Sequence, residues 1–304
     1  MSKPRAIQIV LTNKDGYGFF SDTFRILIAK LLTDKSNLPF FLDDSDWLFS
    51  CEKGWGDYFT TLQGRTGLHP ADIPLLTEEL YNDQCLFTVA EYRQAMKDLY
   101  QLQPWLLDRV ETTMKSLGLV TDEYAAIFIR RGDKCVSESV VIPTQAYVNQ
   151  VLAHFPDVKT VFVQTDDFRA VEEVKALLGP EIKVVTTCPS DKLGAFVFAF
   201  HPEDGTDVPC QRNLDYLASY KALPHQRIVV DYSNEEMKEH VAEMLVGLEL
   251  CKRGRGVALD YLSNTSRFLT FSHPKGREGV WNLEKHITFE EDQFIKCPRF
   301  FPFT

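Results

Sequence analysis

The sequence predicts an α/β protein built on doubly wound parallel sheets, in two α/β halves that meet near residue 120 and face each other across a ligand cleft. Two patterns predict it. From Tyr124 onward, short apolar runs alternate with helix-like stretches of roughly 10–15 residues, the signature of βα units in a parallel sheet. The run Tyr124–Ile129 also ends abruptly in charge, which marks a buried strand reaching the carboxyl edge of such a sheet, where open α/β folds bind ligands. A chain of 304 residues is long for one core and suits two units, 1–120 and 121–304.

The elements follow in order. "AIQIVLTN" reads as a first strand, "KDGYG" as a glycine-containing turn, and "FFSDTFRILIAKLLTDK" as a helix. "NLPFFLDD" is a second short strand, and Trp47 to about Leu119 is mostly helical or irregular. Strand "YAAIFIRR" precedes helix "PTQAYVNQVLAHF", where Pro143 suits a first helical position. Strand "TVFVQTDD" precedes helix "FRAVEEVKALLG", closed by Gly179, and "EIKVVTT" is a third strand. Leu193 to His225 carries no clear period, and its "HPEDGTDVP" has loop composition. "SNEEMKEHVAEMLVGLELCKRG" is amphipathic, with Met237, Val241, Met244, Leu245 and Leu248 on one stripe. "VALDYLSN" reads as another strand, followed by a polar segment and the aromatic tail "CPRFFPFT".

Forty-three acidic residues against 33 basic ones give a net charge of -10, which argues against nucleic acid as the main partner. An anionic ligand must therefore be held by a local basic cluster. No stretch approaches about 18 uninterrupted apolar residues, and "MSKPRAIQIVLTN" lacks the apolar segment of a signal peptide or membrane anchor. Seven dispersed cysteines without a CxxC pair read as free thiols, so a cytosolic location is expected.

The basic cluster lies in "FIRRGDKCVSES". Arg130, Arg131 and Lys134 suit a diphosphate, because guanidinium forks pair bidentately with phosphate oxygens and lysine adds a point charge. Glu138 could serve there as a general base, although the same residues could equally form a surface salt-bridge cluster. Thr165, Asp166 and Asp167 end the next strand; they belong beside that loop, or one of them caps the following helix. "NKDGYG", with Gly16 and Gly18, either admits a ligand to backbone N–H groups or is a simple turn. Asp44-Ser45-Asp46 could hold a divalent ion on nucleotide phosphates, but so short an acidic motif is common in acidic proteins. The seven histidines show no ligand spacing.

These segments together resemble the α1,6-fucosyltransferase group, core and nodulation-type enzymes included. The resemblance rests on Arg130, Arg131, Asp133, Lys134, Glu138, Pro143 and Tyr147 at matching intervals, and on the Asp-Asp strand end. It extends to "GYGFFSDTFRILIAKLL…FFLDDSDW…GWGDYF" and to "LSNTSRF" with Ser263 and Arg267, about half the chain in three ordered blocks. It implies a GT-B architecture: two Rossmann-like domains, the first on the acceptor side and the second holding a nucleotide sugar. It implies transfer of L-fucose from GDP-fucose to a glycan hydroxyl, with inversion and without metal or other cofactor. Arg130 would bind the β-phosphate and stabilise the leaving GDP, Lys134 would hold the phosphate side, and Glu138 would take the acceptor's proton. Asp133 would orient the acceptor or the loop, while Tyr147, Asp166, Asp167 and Ser263 would line the donor pocket.

Three positions depart from the group. Phe128 stands where a polar residue is usual, Gly132 stands where Thr is, and the acidic contact to the base is open between Glu243 and Glu249. The base therefore stays open, and with it the sugar. Two alternatives accompany the main reading: a transferase for another nucleotide sugar, metal-dependent through Asp44 and Asp46, and a non-catalytic nucleotide-sugar or glycan-binding protein.

Overall fold

Five parallel strands form the sheet that organises the second half of the chain. They are β4 (Ala125–Ile129), β5 (Thr160–Thr165), β6 (Lys183–Thr186), β7 (Val257–Leu259) and β8 (Val280–Asn282), in the order β6-β5-β4-β7-β8. The chain starts in the centre with β4, builds outward through β5 and β6, then returns to lay β7 and β8 on the other side. That reversal makes a topological switch point between β4 and β7, the place where ligands enter open α/β sheets. The computed structural model describes residues 7–12, 18–37, 39–62, 86–132, 134–135, 141–194, 229–283, 290–292 and 294–296.

The apolar run of β4 is continuous because both faces of the strand are covered. Ala125, Ile127 and Ile129 pack in one cluster with Tyr147, Val148 and Val151 of the helix at Thr144–His154 and with Ala170, Val171 and Val174 of the helix at Phe168–Leu178. Ala126 and Phe128 face the other way, into a cluster with Val241, Leu245 and Leu248 of the helix at Asn234–Arg253. Successive side chains of a strand point to opposite faces, so five consecutive apolar residues serve two layers. The helix at Asn234–Arg253 starts on a capping box in which Ser233 and Glu236 satisfy each other's backbone N–H groups.

In the first half, β1 (Ile7–Thr12) and β2 (Phe40–Asp46) form a parallel pair bridged by α1 (Phe19–Ser36). Helices α2 (Val89–Leu99) and α3 (Pro104–Leu117) follow; the helices named above are then α4 (Thr144–His154), α5 (Phe168–Leu178), α6 (Asn234–Arg253) and α7 (Asn264–Ser272). A second, antiparallel pair joins β3 (Leu86–Thr88) to β9 (Phe294–Lys296). Phe19 sits amid Phe20, Trp47, Phe49 and Tyr58, with ring centroids 5.3 to 5.7 Å apart. Such edge-on and tilted pairs add to the burial of large aromatic surfaces. One buried cluster runs from Ile9 and α1 through α2 and α3 to α6 and α7, so the described parts of the two halves share a core. Among the described residues, no helix is long and apolar enough to cross a membrane.

Strands β1, β4, β5 and β6, helix α1 and the helices at Thr144–His154, Phe168–Leu178 and Asn234–Arg253 match the sequence reading within a residue or two, and Gly179 closes α5. Strand β2 starts at Phe40, three residues later than read, and β7 ends at Leu259, five residues short of the strand read through Asn264. Strands β3, β8 and β9 were not anticipated. Most of the unreadable stretch from Leu193 to His225 lies outside the described residues, as does the tail from Cys297.

Candidate functional site

At the switch point the sheet opens into a cleft of about 320 Å³, partly open to solvent. Ile129, Arg130, Arg131, Lys134 and Cys135 line it from the end of β4, and Asp260, Leu262 and Ser263 from the end of β7. Tyr147 of α4 closes its floor together with Val141 and Ile142.

Arg130 is held rather than loose. Its Nη1 donates to the Arg131 carbonyl at 2.9 Å and to Asp166 Oδ2. The same carboxylate accepts the Arg131 amide through Oδ1 at 2.7 Å. Asp166 thus fixes the turn that follows β4 from the neighbouring strand end, with which β4 is in register up to Ile129 and Thr165. Gly132 follows with φ +64°, a left-handed backbone that a threonine would adopt only with strain, which accounts for glycine at this position.

Arg131 takes a different course. Only 5% exposed, it sends its guanidinium to Glu173 Oε1 at 3.0 Å, Glu173 Oε2 at 2.5 Å and Thr144 Oγ1 at 3.0 Å, tying α5 to α4. Burial pushes the Glu173 carboxyl up, but hydrogen bonds from Arg131 and Thr144 outweigh it and hold the group below the ordinary carboxylate range.

Asp167 is fully buried and caps α5, accepting the Arg169 amide at 3.0 Å and pairing with the Arg169 guanidinium at 2.6 Å. The capping role considered from sequence is thus the one seen. Ser263 caps α7, accepting the Ser266 amide at 3.0 Å, and Asn264 beside it donates to Ser21 Oγ of α1 at 3.0 Å. Arg267 is spent locally on the Tyr261 carbonyl and on Asn264 Oδ1. Gly18 is the N-cap residue of α1, outside the lining of the cleft.

Asp260 was not anticipated. It follows β7, is 5% exposed, and accepts the Tyr147 hydroxyl at Oδ2 (2.8 Å) and the Leu262 amide at Oδ1 (2.9 Å). Burial pushes its carboxyl up, while the Leu262 amide, the Tyr147 hydroxyl and the charge of Lys134 oppose that rise. The signal was present: "VALD" is an apolar run ending in charge, the same pattern that located Arg130.

Asp133, Glu138 and Gly16 lie outside the described residues. Phe128 is buried against α6, and Glu249 pairs with Lys252. Asp44 is fully buried and accepts the Trp55 amide at 2.6 Å, beneath a tight turn at Gly54, where φ is +60°. Exposed Ser45 and Asp46 follow it, so Asp44 and Asp46 do not present a joint face to solvent.

No family model matches the chain. Solved structures to which it is similar include a NodZ alpha-1,6-fucosyltransferase soaked with GDP-fucose, at 13% identity, covering 90% of this chain and 94% of that one with a TM-score of 0.49. They also include a NodZ alpha-1,6-fucosyltransferase co-crystallised with GDP (12% identity, 88% and 92% covered, TM-score 0.46). A third is the fucosyltransferase NodZ from Bradyrhizobium (12% identity, 88% and 93% covered, TM-score 0.47). Such identities assign no residue a role.

Proposed function

We propose that the protein is an inverting glycosyltransferase of GT-B architecture that transfers L-fucose from GDP-fucose to a glycan hydroxyl. The observation that carries this reading is the placement of Arg130 and Lys134 in one cleft at the switch point between β4 and β7. Two cations there suit a diphosphate, and the departing diphosphate is where charge develops during transfer. Fucose and guanine are proposed on the family resemblance of the loop alone.

In this reading the 121–304 half holds the donor and the 1–120 half presents the acceptor. Arg130 and Lys134 bind the diphosphate, and Arg130 stabilises it as it leaves. Asp166 keeps Arg130 in place, while Tyr147 and Ser263 shape the pocket. Asp167 and Arg131 support the loop from behind. Glu138 takes the proton of the acceptor hydroxyl as its oxygen bonds to the anomeric carbon and the bond to the diphosphate breaks; Asp133 orients that approach. None of these roles calls for a metal ion, and the burial of Asp44 removes one half of the Asp44–Asp46 motif from solvent.

The test is a thermal-shift panel of GDP, UDP, CDP and their sugars, first in EDTA and then with Mg²⁺ or Mn²⁺. Ligand at about 100 times its Kd stabilises the fold by roughly 2.7 kcal/mol. A GDP-selective shift in EDTA is expected, followed by fucose transfer in an acceptor screen. A UDP-selective or metal-dependent shift overturns the donor assignment; binding without transfer or donor hydrolysis overturns the enzyme.

A further inference from the structure

We propose that Asn264 is a positioning residue for transfer: its hydrogen bond to Ser21 sets where the first half, with the acceptor it presents, lies over the donor cleft. The proposal rests on the glycosyltransferase reading given above.

It starts from the turn that joins the cleft to α7. Asp260, Leu262 and Ser263 line the cleft, and Asn264 is the next residue, the first of α7. The turn is fastened at several points. Asp260 Oδ1 accepts the Leu262 amide at 2.9 Å, Ser263 Oγ accepts the Ser266 amide at 3.0 Å, and Arg267 Nε donates to the Tyr261 carbonyl at 3.1 Å. Arg267 Nη1 also donates to Asn264 Oδ1 at 3.0 Å, so the amide oxygen of Asn264 is taken up from within α7. Its Nδ2 is turned to the other half of the molecule, where it donates to Ser21 Oγ at 3.0 Å in the first turn of α1.

The neighbouring contact is apolar. Residues four apart share a helix face, and Phe268 follows Asn264 by one turn. Its ring centroid lies 4.8 Å from that of Phe20 in α1 and 5.1 Å from that of Tyr100 at the end of α2, all of them buried. Apolar packing is non-directional, so it presses α7 against the first half without fixing how the two are aligned. A hydrogen bond has a preferred length and direction. The Asn264–Ser21 bond therefore gives alignment to a joint whose strength comes from Phe268. One end of that bond is continuous with the lining of the cleft, and the other belongs to the half that brings the acceptor. Alignment matters to chemistry because a displacement of about 1 Å between reacting groups costs on the order of 10²-fold in rate. Asn264 itself is outside the cleft lining, so its loss spares the donor's own contacts.

The experiment uses the full chain and compares calorimetric affinity for GDP-fucose, slow GDP release with water as acceptor, and transfer to the acceptor chosen in the screen above. Binding and hydrolysis draw on the donor half, whereas transfer needs both halves in register. Asn264→Leu keeps a similar volume without the amide. It is expected to hold donor affinity and hydrolysis within about twofold and to lower kcat for transfer by about 10- to 100-fold. Ser21→Ala should do the same, and the double variant should lose no more than either alone, because both remove one bond. Asn264→Asp is expected to keep transfer near that of the unaltered protein, since a carboxylate accepts from both Arg267 and the Ser21 hydroxyl. Should Asn264→Leu fail to fold, Ser21→Ala carries the same comparison. Unchanged transfer, losses shared equally by affinity, hydrolysis and transfer, or additive losses in the double variant overturn the positioning role and leave the transferase standing. So does an Asn264→Asp variant no better than Asn264→Leu. Donor binding without hydrolysis or transfer in the unaltered protein overturns both together.

Discussion

Asp166 holds Arg130 and the backbone beside it together, accepting from the Arg130 guanidinium with Oδ2 and from the Arg131 amide with Oδ1 at 2.7 Å. A cation held from the adjacent strand end arrives at its ligand already oriented, and little side-chain freedom remains to be lost on binding. Asp166→Ala is expected to lower kcat/KM for GDP-fucose by about 10²-fold, the usual cost of a misplaced group. Asp166→Asn, which can still accept the Arg131 amide, should fall between. Steady-state transfer assays with matched thermal denaturation curves check both.

Arg130→Ala removes the group aimed at the leaving diphosphate. The transfer rate should drop by about 10² to 10³ while the fold survives. An undiminished rate would remove the central assignment.

Glu138→Gln should separate chemistry from binding. Donor affinity stays close to that of the unaltered protein, and the rate of transfer falls by about 10² to 10⁴. Equal losses in calorimetric affinity and single-turnover rate would make Glu138 a structural residue instead.

The Arg131–Glu173 pair predicts a pH signature in stability. The folded carboxyl of Glu173 titrates below its ordinary value of 4.5, so the folded state favours the ionised form. Its contribution is therefore present above about pH 4.5 and is lost as pH falls through the lower folded value. Glu173→Gln should cost roughly 1–3 kcal/mol at pH 7. The lower end is expected, because the Glu173 side chain is 45% exposed and solvent screens the pair. The difference should vanish in urea titrations near pH 3.

Gly54→Ala should destabilise the first half strongly. The backbone there has φ +60°, and an added Cβ would come within 2.0 Å of Asp44 Oδ2. Asp44→Ala should lower Tm as well, while EDTA leaves the unaltered protein's Tm and transfer rate unchanged. A Tm that falls in EDTA and is restored by Mn²⁺ would contradict the structural role given to Asp44.

Much of this site could be read from the chain because it sits where strands end. Apolar runs stopping at charge placed Arg130 and Asp166 at one sheet edge, and Ser263 was named only through the family resemblance of "LSNTSRF". Other parts carried weaker signals. Asp260 escaped because Tyr261 and Leu262 continue the apolar run in sequence, although β7 ends at Leu259. Arg131 was grouped with Arg130, yet adjacent residues of an extended segment point to opposite sides, and its guanidinium went to Glu173 and Thr144. Strands β3, β8 and β9 have three residues each, too few to show a period of two. Their positions are dictated by packing across the chain, which no local pattern records.

The pairing of β3 with β9 sets a timetable for synthesis. Thr88 leaves the ribosome roughly 200 residues before its partner Phe294. At about 5–20 residues per second that interval is on the order of 10 to 40 s. Throughout it Leu86–Thr88 has an unsatisfied edge, while the parallel sheet from β4 to β8 can assemble from residues already made. The half of the molecule translated first is thus the half completed last, and a chaperone that shields nascent strands would find its binding site there.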